Sequence, residues 1–270
     1  MLASAPLATL PPLATLPLSP GLVVGLLVLA LVATRNVTNG RSPWHLPRWE
    51  HAFGWVGLCL AIDGQYLGLV DAPRERMMGD VGRILYVHVP SAWSCLVCFM
   101  FAVIFAVAYL MTGRRGFDLA VEATAEVGVV LCGLLLATGS TFARPTWGTW
   151  WTWDPRLTSS AVMMIAFVGV LLLRQATADP ERRATWTSVA SILAGVSMVV
   201  TYMSVRWWRS IHQMQSSPDT IAPEMTLILR INGFAFLFLA TWLIGQRYRL
   251  AALRAAEEEA PPLPPAEVPA

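Results

Sequence analysis

The chain of 270 residues is 56% hydrophobic and only 13% charged, with a formal net charge of +2. A soluble domain would carry about a quarter charged residues, so a water-soluble domain is excluded and an all-α, polytopic membrane protein is expected. The small net charge says little about partners beyond membrane lipid, and no nucleic-acid partner is expected. Lysine is absent, so every basic side chain is an arginine.

Residues 1–48 form an N-terminal extension. Gly21 to Ala33 is strongly apolar but short for a span, and Pro17 and Pro20 precede it. It reads as an extra helix, an interfacial segment or the apolar part of a targeting peptide. From 49 to 250, six segments approach the roughly twenty apolar residues that a membrane crossing needs. They are 51–70, 91–111, 122–142, 159–174, 187–205 and 225–245. The fourth is short unless its helix begins near Pro155. Residues 251–270 turn acidic and then proline-rich, the composition of a disordered tail.

Two kinds of connection alternate between these segments. The links 112–121 and 175–186 carry Arg114, Arg115, Arg182 and Arg183, and Arg247, Arg249 and Arg254 follow the last span. Arginine-rich connections favour the cytoplasmic side, and the bias is moderate, since Arg74, Arg76, Arg83, Arg144, Arg156, Arg206 and Arg209 fall in the other connections. The connections 71–90, 143–158 and 206–224, rich in aromatic residues, proline and histidine, then share the outer face.

The outer connections hold the candidate chemistry. WGTWWTWDPRLTS at 147–159 gathers Trp147, Trp150, Trp151 and Trp153 beside Gly148, Asp154 and Arg156. Tryptophan offers a broad flat face and an N–H that can still find a partner. An interfacial aromatic belt would spread such residues around the bundle, whereas this segment concentrates them. His88, in RILYVHVP just before Pro90, and His212, in VRWWRSIHQ, lie at similar depth on either side of that segment in chain order. Pro90 is read as opening the second helix. If residues 205–213 are still helical, Trp208 lies one turn before His212 on the same face. Imidazole is a common ligand of heme iron, so His88 and His212 are candidate axial ligands beside an aromatic platform. Arg83, Arg144 and Arg156 are candidates for the heme propionates, because guanidinium binds carboxylates in a bidentate manner. Asp154 precedes Pro155 and is read first as the N-cap of the fourth helix.

Other polar residues carry weaker signals. Asp63 and Arg230 fall within spans, where charge is costly, and Arg230 lies near a helix end from which it can snorkel. His45 and His51 read as interfacial. Cys95 and Cys98 form a C-x-x-C inside an apolar helix, where cysteine more often serves as core filler than as a redox pair. No phosphate-binding G-x-x-x-x-G-K-[ST] loop is present.

The tryptophan segment resembles the WWD signature of the heme-handling proteins of cytochrome c maturation. Its continuation DPRLTS, with RILYVHVP and SVRWWRSIHQ, is similar to the cytochrome c maturation protein C (heme exporter protein C) family over roughly residues 50–247. Pro155 stands where many members have alanine. The resemblance implies that His88 and His212 are the heme-associated histidines, and that Trp147, Gly148, Trp150, Trp151, Trp153 and Asp154 form the platform. It further implies a multi-pass protein of the bacterial inner membrane that holds heme b at the periplasmic face. Such a protein passes heme to the chaperone, cytochrome c maturation protein E. It works beside an ABC-type ATPase and membrane subunit (cytochrome c maturation proteins A and B) and the small single-span protein D. This is a transfer component rather than an enzyme, with a lyase-like hand-over at most. The alternatives are an electron-transfer cytochrome b subunit, a dithiol carrier using Cys95 and Cys98, and a purely structural scaffold.

Overall fold

Long helices account for nearly all of the described backbone in the computed structural model, which covers residues 48–75, 77–212 and 223–259. The apolar stretch from Gly21 to Ala33, His45, Arg76 and the segment beyond Glu259 lie outside the described residues. The helices are α1 (Arg48–Tyr66), α2 (Leu85–Thr112), α3 (Arg115–Trp147), α4 (Pro155–Ala176), α5 (Pro180–Trp207) and α6 (Pro223–Glu259). A π turn, Leu67–Asp71, extends α1, and a 3-10 turn, Asp80–Ile84, leads into α2. Among the described residues, six helices are long and apolar enough to cross a membrane. Their flanks expose large apolar side chains that water would not tolerate in such number, such as Val130 and Ile165, each 70% exposed. The protein is a multi-pass, all-α membrane protein.

The helices run past the apolar windows read from sequence because their ends are set by capping. Gly113 and Gly148 adopt φ of 65° and 77°, the left-handed conformation that stops α2 and α3 and that glycine reaches without strain. Asp179 and Asp154 start α5 and α4, each followed by proline in the first turn. The fourth helix does begin at Pro155.

In the packing, α1 pairs with α6, α2 with α3, and α4 with α5, while α2 also touches both α5 and α6. Small residues allow the close approach usual between membrane helices. A Cβ on Gly57 would stand 2.8 Å from the backbone nitrogen of Leu239. The central apolar cluster, including Phe99, Cys132, Met163 and Phe167, joins α2, α3, α4 and α5. Phe99 and Phe167 stack with ring centres 3.8 Å apart.

Three expectations change. Pro90 does not open α2 but sits inside it, because the 3-10 turn at Asp80–Ile84 starts the helical path earlier. An interior proline cannot donate to the carbonyl four residues back, here that of Tyr86. Gln65 of α1 supplies the missing donor, with Nε2 3.1 Å from the Tyr86 oxygen. The same Nε2 is 2.6 Å from Oδ1 of the fully buried Asn232, which itself donates to Gly64 O at 2.9 Å. Next, α5 ends at Trp207, and Trp208 is extended (φ −127°, ψ 158°), so no helical turn relates Trp208 to His212. Finally, residues 251–259 are helical rather than a disordered tail. Ala251 and Ala255 pack on Leu119, and Glu258 pairs with Arg183 at 2.5 Å and Arg115 at 3.8 Å.

Helix α3 starts at Arg115 and ends at Trp147, so the arginine links and the tryptophan segment occupy opposite ends of the bundle, roughly 50 Å apart along that helix. At the arginine end, Arg174 grips Asp118 in a bidentate pair (2.5 and 2.9 Å) and Glu122 at 2.8 Å. Arg247 holds Glu126 at 2.5 Å. These pairs lock α3 to α4 and α6. Nearer the opposite end of α1, Asp63 keeps one carboxylate oxygen buried without a hydrogen bond, and Arg230 is exposed.

Candidate heme-binding site

At the tryptophan end, a cavity of about 720 Å³ opens between α2, α3, α4 and α5 beneath Glu75 and residues 77–81. That volume falls within the roughly 300–1,000 Å³ of drug-sized ligand pockets. Its depth is apolar, with Leu96, Leu135 and Met163. Trp93, Trp147, Trp151 and Tyr202 supply aromatic wall, and His88, His212 and Arg156 supply polar groups.

The two histidines meet. Their ring centres are 6.4 Å apart and their planes differ by 31°, although the residues are far apart in sequence. Each reaches this point by a different device. His88 is in the first turns of α2, not in the loop before it, so helical backbone fixes its position. Its Nδ1 lies 3.1 Å from Oγ1 of Thr138 on α3. His212 sits on irregular backbone after α5, held by Asp154. Asp154 caps α4 through the Arg156 N–H at 2.9 Å. Its other acceptor sites take the Ser210 hydroxyl (2.9 Å) and the Ile211 N–H (2.8 Å). Ser210 Oγ in turn accepts the His212 N–H at 3.0 Å. One buried carboxylate therefore fixes both the entry to α4 and the turn carrying His212.

The tryptophan segment divides. Trp147 and Trp151 line the cavity, whereas Trp150 and Trp153 are 57% and 84% exposed. Gly148 is the left-handed stop of α3. Ser140 fixes the loop that follows by donating to Trp150 O at 2.8 Å. The arginines divide as well. Arg156 lines the cavity, and its Nη1 donates to Thr201 O at 2.5 Å and Tyr202 O at 3.3 Å. Arg83 instead pairs with Asp80 at 3.1 Å and donates to Gly68 O, and Arg144 donates to Gly148 O. Neither of these two is part of the cavity wall.

Thr138, Gly139, Trp93 and Tyr202 surround the site without having been singled out from sequence. The T-G-S run at 138–140, polar and directly ahead of the tryptophan segment, was the one local signal. Cys95 and Cys98 pack in different clusters. Cys95 packs in the central cluster with Cys132, Cys98 packs against Val127 and Ala240, and both are buried. A dithiol carrier would need its sulfurs within reach of an exchange partner.

Comparison with known proteins supplies the family. The model of heme exporter protein C matches residues 35–260. The chain belongs to the heme exporter protein C family. It is 36% identical to the heme exporter protein C of Escherichia coli strain K12 over 215 residues, covering 75% of this chain and 86% of that protein. The Haemophilus influenzae protein of the same name is 34% identical over 207 residues, covering 75% and 84%. That of Paracoccus denitrificans is 32% identical over 200 residues, covering 70% and 83%. The family match takes in every element of the cavity wall.

Proposed function

We propose that this protein binds heme b between His88 and His212 and hands it on during cytochrome c maturation, as a component of an ABC-type heme export system. The observation that carries the reading is the separation of the two imidazoles. A metal–imidazole nitrogen bond is about 2.0–2.1 Å, so two imidazoles on opposite faces of one metal would hold their ring centres slightly over 6 Å apart. The observed 6.4 Å suits that arrangement. The surroundings suit it too: Trp147 and Trp151 offer flat apolar surface, and Arg156 keeps guanidinium N–H donors for a carboxylate beyond those used on backbone carbonyls. With no C-x-x-C-H sequence for covalent attachment, heme would be held by coordination and packing alone, as b-type heme is.

The moderate arginine bias between the two ends supports an orientation with the cavity at the periplasmic face of the inner membrane. Family membership supports delivery to the heme chaperone, cytochrome c maturation protein E, and assembly with proteins A, B and D of the same system. The chain's own part is to coordinate, shield and release, while ATP chemistry belongs to partners.

The test is spectroscopic. Protein purified from heme-replete cells is expected to carry heme with the absorption of a low-spin, bis-imidazole iron. His88→Ala and His212→Ala should each convert this to a high-spin form with reduced heme content. Unaltered heme content and iron coordination in the double variant would reject the assignment.

A further inference from the structure

The hydroxyl of Thr138 touches three acceptors or donors at once, and elementary bookkeeping of its single proton decides what His88 is. Thr138 Oγ1 is 2.7 Å from Leu134 O and 3.1 Å from Leu135 O on its own helix, and 3.1 Å from His88 Nδ1 on α2. A threonine hydroxyl carries one donor and two lone pairs. The short bond to the carbonyl four residues back, a common habit of helical threonine, takes the proton. The contact with His88 is therefore Nδ1–H donating to oxygen. Neutral imidazole with its proton on Nδ1 carries its lone pair on Nε2, and Nε2 alone remains for a metal.

Gly139, the next residue of α3, completes the seat. A Cβ there would lie 3.0 Å from His88 Cε1 and 3.5 Å from Nδ1, so a side chain would require the ring to give by a few tenths of an ångström. The Thr-Gly pair thus presents a hydroxyl and a gap to the same edge of one imidazole.

We propose that Thr138 and Gly139 are positioning residues for His88, which fix its Nδ1–H tautomer and aim Nε2 at the heme iron through a neutral acceptor. The inference rests on the reading that His88 ligates heme. The kind of acceptor matters. Metal-binding histidines usually donate their second N–H to a carboxylate, carbonyl or water, and a carboxylate makes the imidazole a more basic ligand. A hydroxyl whose own proton is engaged orients the ring with little added basicity. That suits a protein whose cargo must leave.

The experiment titrates heme into detergent-purified protein and records affinity, ferric absorption spectrum and midpoint reduction potential. Thr138→Val keeps the shape and removes the acceptor. It should weaken heme binding about tenfold, at the low end of the range for second-partner losses. It should also raise the midpoint potential, but only slightly, because the hydroxyl adds little to the electron donation of the imidazole. Thr138→Ser should restore both values. Gly139→Ala should shift the ferric spectrum toward high spin, and it carries the test by the same readouts if Thr138→Val does not fold. Wild-type affinity, spectrum and potential in Thr138→Val or Gly139→Ala, alongside their loss in His88→Ala, would overturn this inference alone. A wild-type spectrum in His88→Ala would instead overturn the reading beneath it.

Discussion

Asp154 accepts hydrogen bonds from residues on two separate stretches of chain, the Arg156 N–H of α4 and the Ser210–Ile211 turn. Replacing it with alanine removes a helix cap, worth about 1 kcal/mol, or a few degrees in melting temperature for a domain of this size. Because the same oxygens secure the turn before His212, Asp154→Ala should lower heme content more than its modest thermal shift suggests. Asp154→Asn retains one acceptor oxygen and should fall between. Heme-to-protein ratio and thermal unfolding in detergent check both, and equal heme content in all three proteins would refute the link. The tryptophans make a parallel case. Alanine at Trp147 and Trp151, which line the cavity, should reduce heme content several-fold. Alanine at the exposed Trp150 and Trp153 should leave the heme content of the purified protein near that of wild type. The capping role of Asp154 is legible in the sequence because capping chemistry is local, an aspartate directly ahead of a proline and an apolar run. Its grip on Ser210 spans more than fifty positions, and no local pattern encodes that.

Helix boundaries and helix partners differ in the same way. The six spans announce themselves through length and apolarity, and their ends through Gly113, Gly148 and the two Asp-Pro pairs. Which face of α3 meets α2 is set by the packing of Phe99 against Gly128 and of His88 against Gly139, and a single sequence does not reveal it. Thr138 therefore escapes notice until the helices are placed side by side. The ion pairs at the arginine end were hidden for another reason: Asp118, Glu122 and Arg174 fall at the margins of apolar windows, where charge is ordinary. Removing one partner of a buried pair strands the other, a loss of about 3–5 kcal/mol. Arg174→Met should accordingly destabilise the bundle strongly, whereas Arg174→Met combined with Asp118→Asn should recover much of the loss. Thermal unfolding of the single and double variants measures the difference, and a double variant no more stable than the single would contradict it.

At the scale of the whole molecule, the bundle has a charged, interlocked end and an open, aromatic end. The proposed orientation puts the second in the periplasm. Met77, 94% exposed at the turn over the cavity, and Arg182, exposed at the start of α5, should report it. A cysteine in place of Met77 should react with a membrane-impermeant maleimide in intact spheroplasts. A cysteine in place of Arg182 should react only after permeabilisation. The native thiols add little background, since Cys95, Cys98 and Cys132 are buried and Cys59 lies within α1. The reverse labelling pattern would invert the orientation.

The first helix contributes no wall to the cavity, yet Gln65 completes the turn that holds His88 by bonding the carbonyl that Pro90 leaves vacant. A survey of variants chosen by nearness to the cavity would pass over this glutamine. Exchanged for leucine, it would take the donor from the Tyr86 carbonyl, two residues ahead of His88, and leave Asn232 Oδ1 without that bond, while Asn232 keeps its own to Gly64 O. Defects in heme retention would then trace to a helix that lines no part of the cavity.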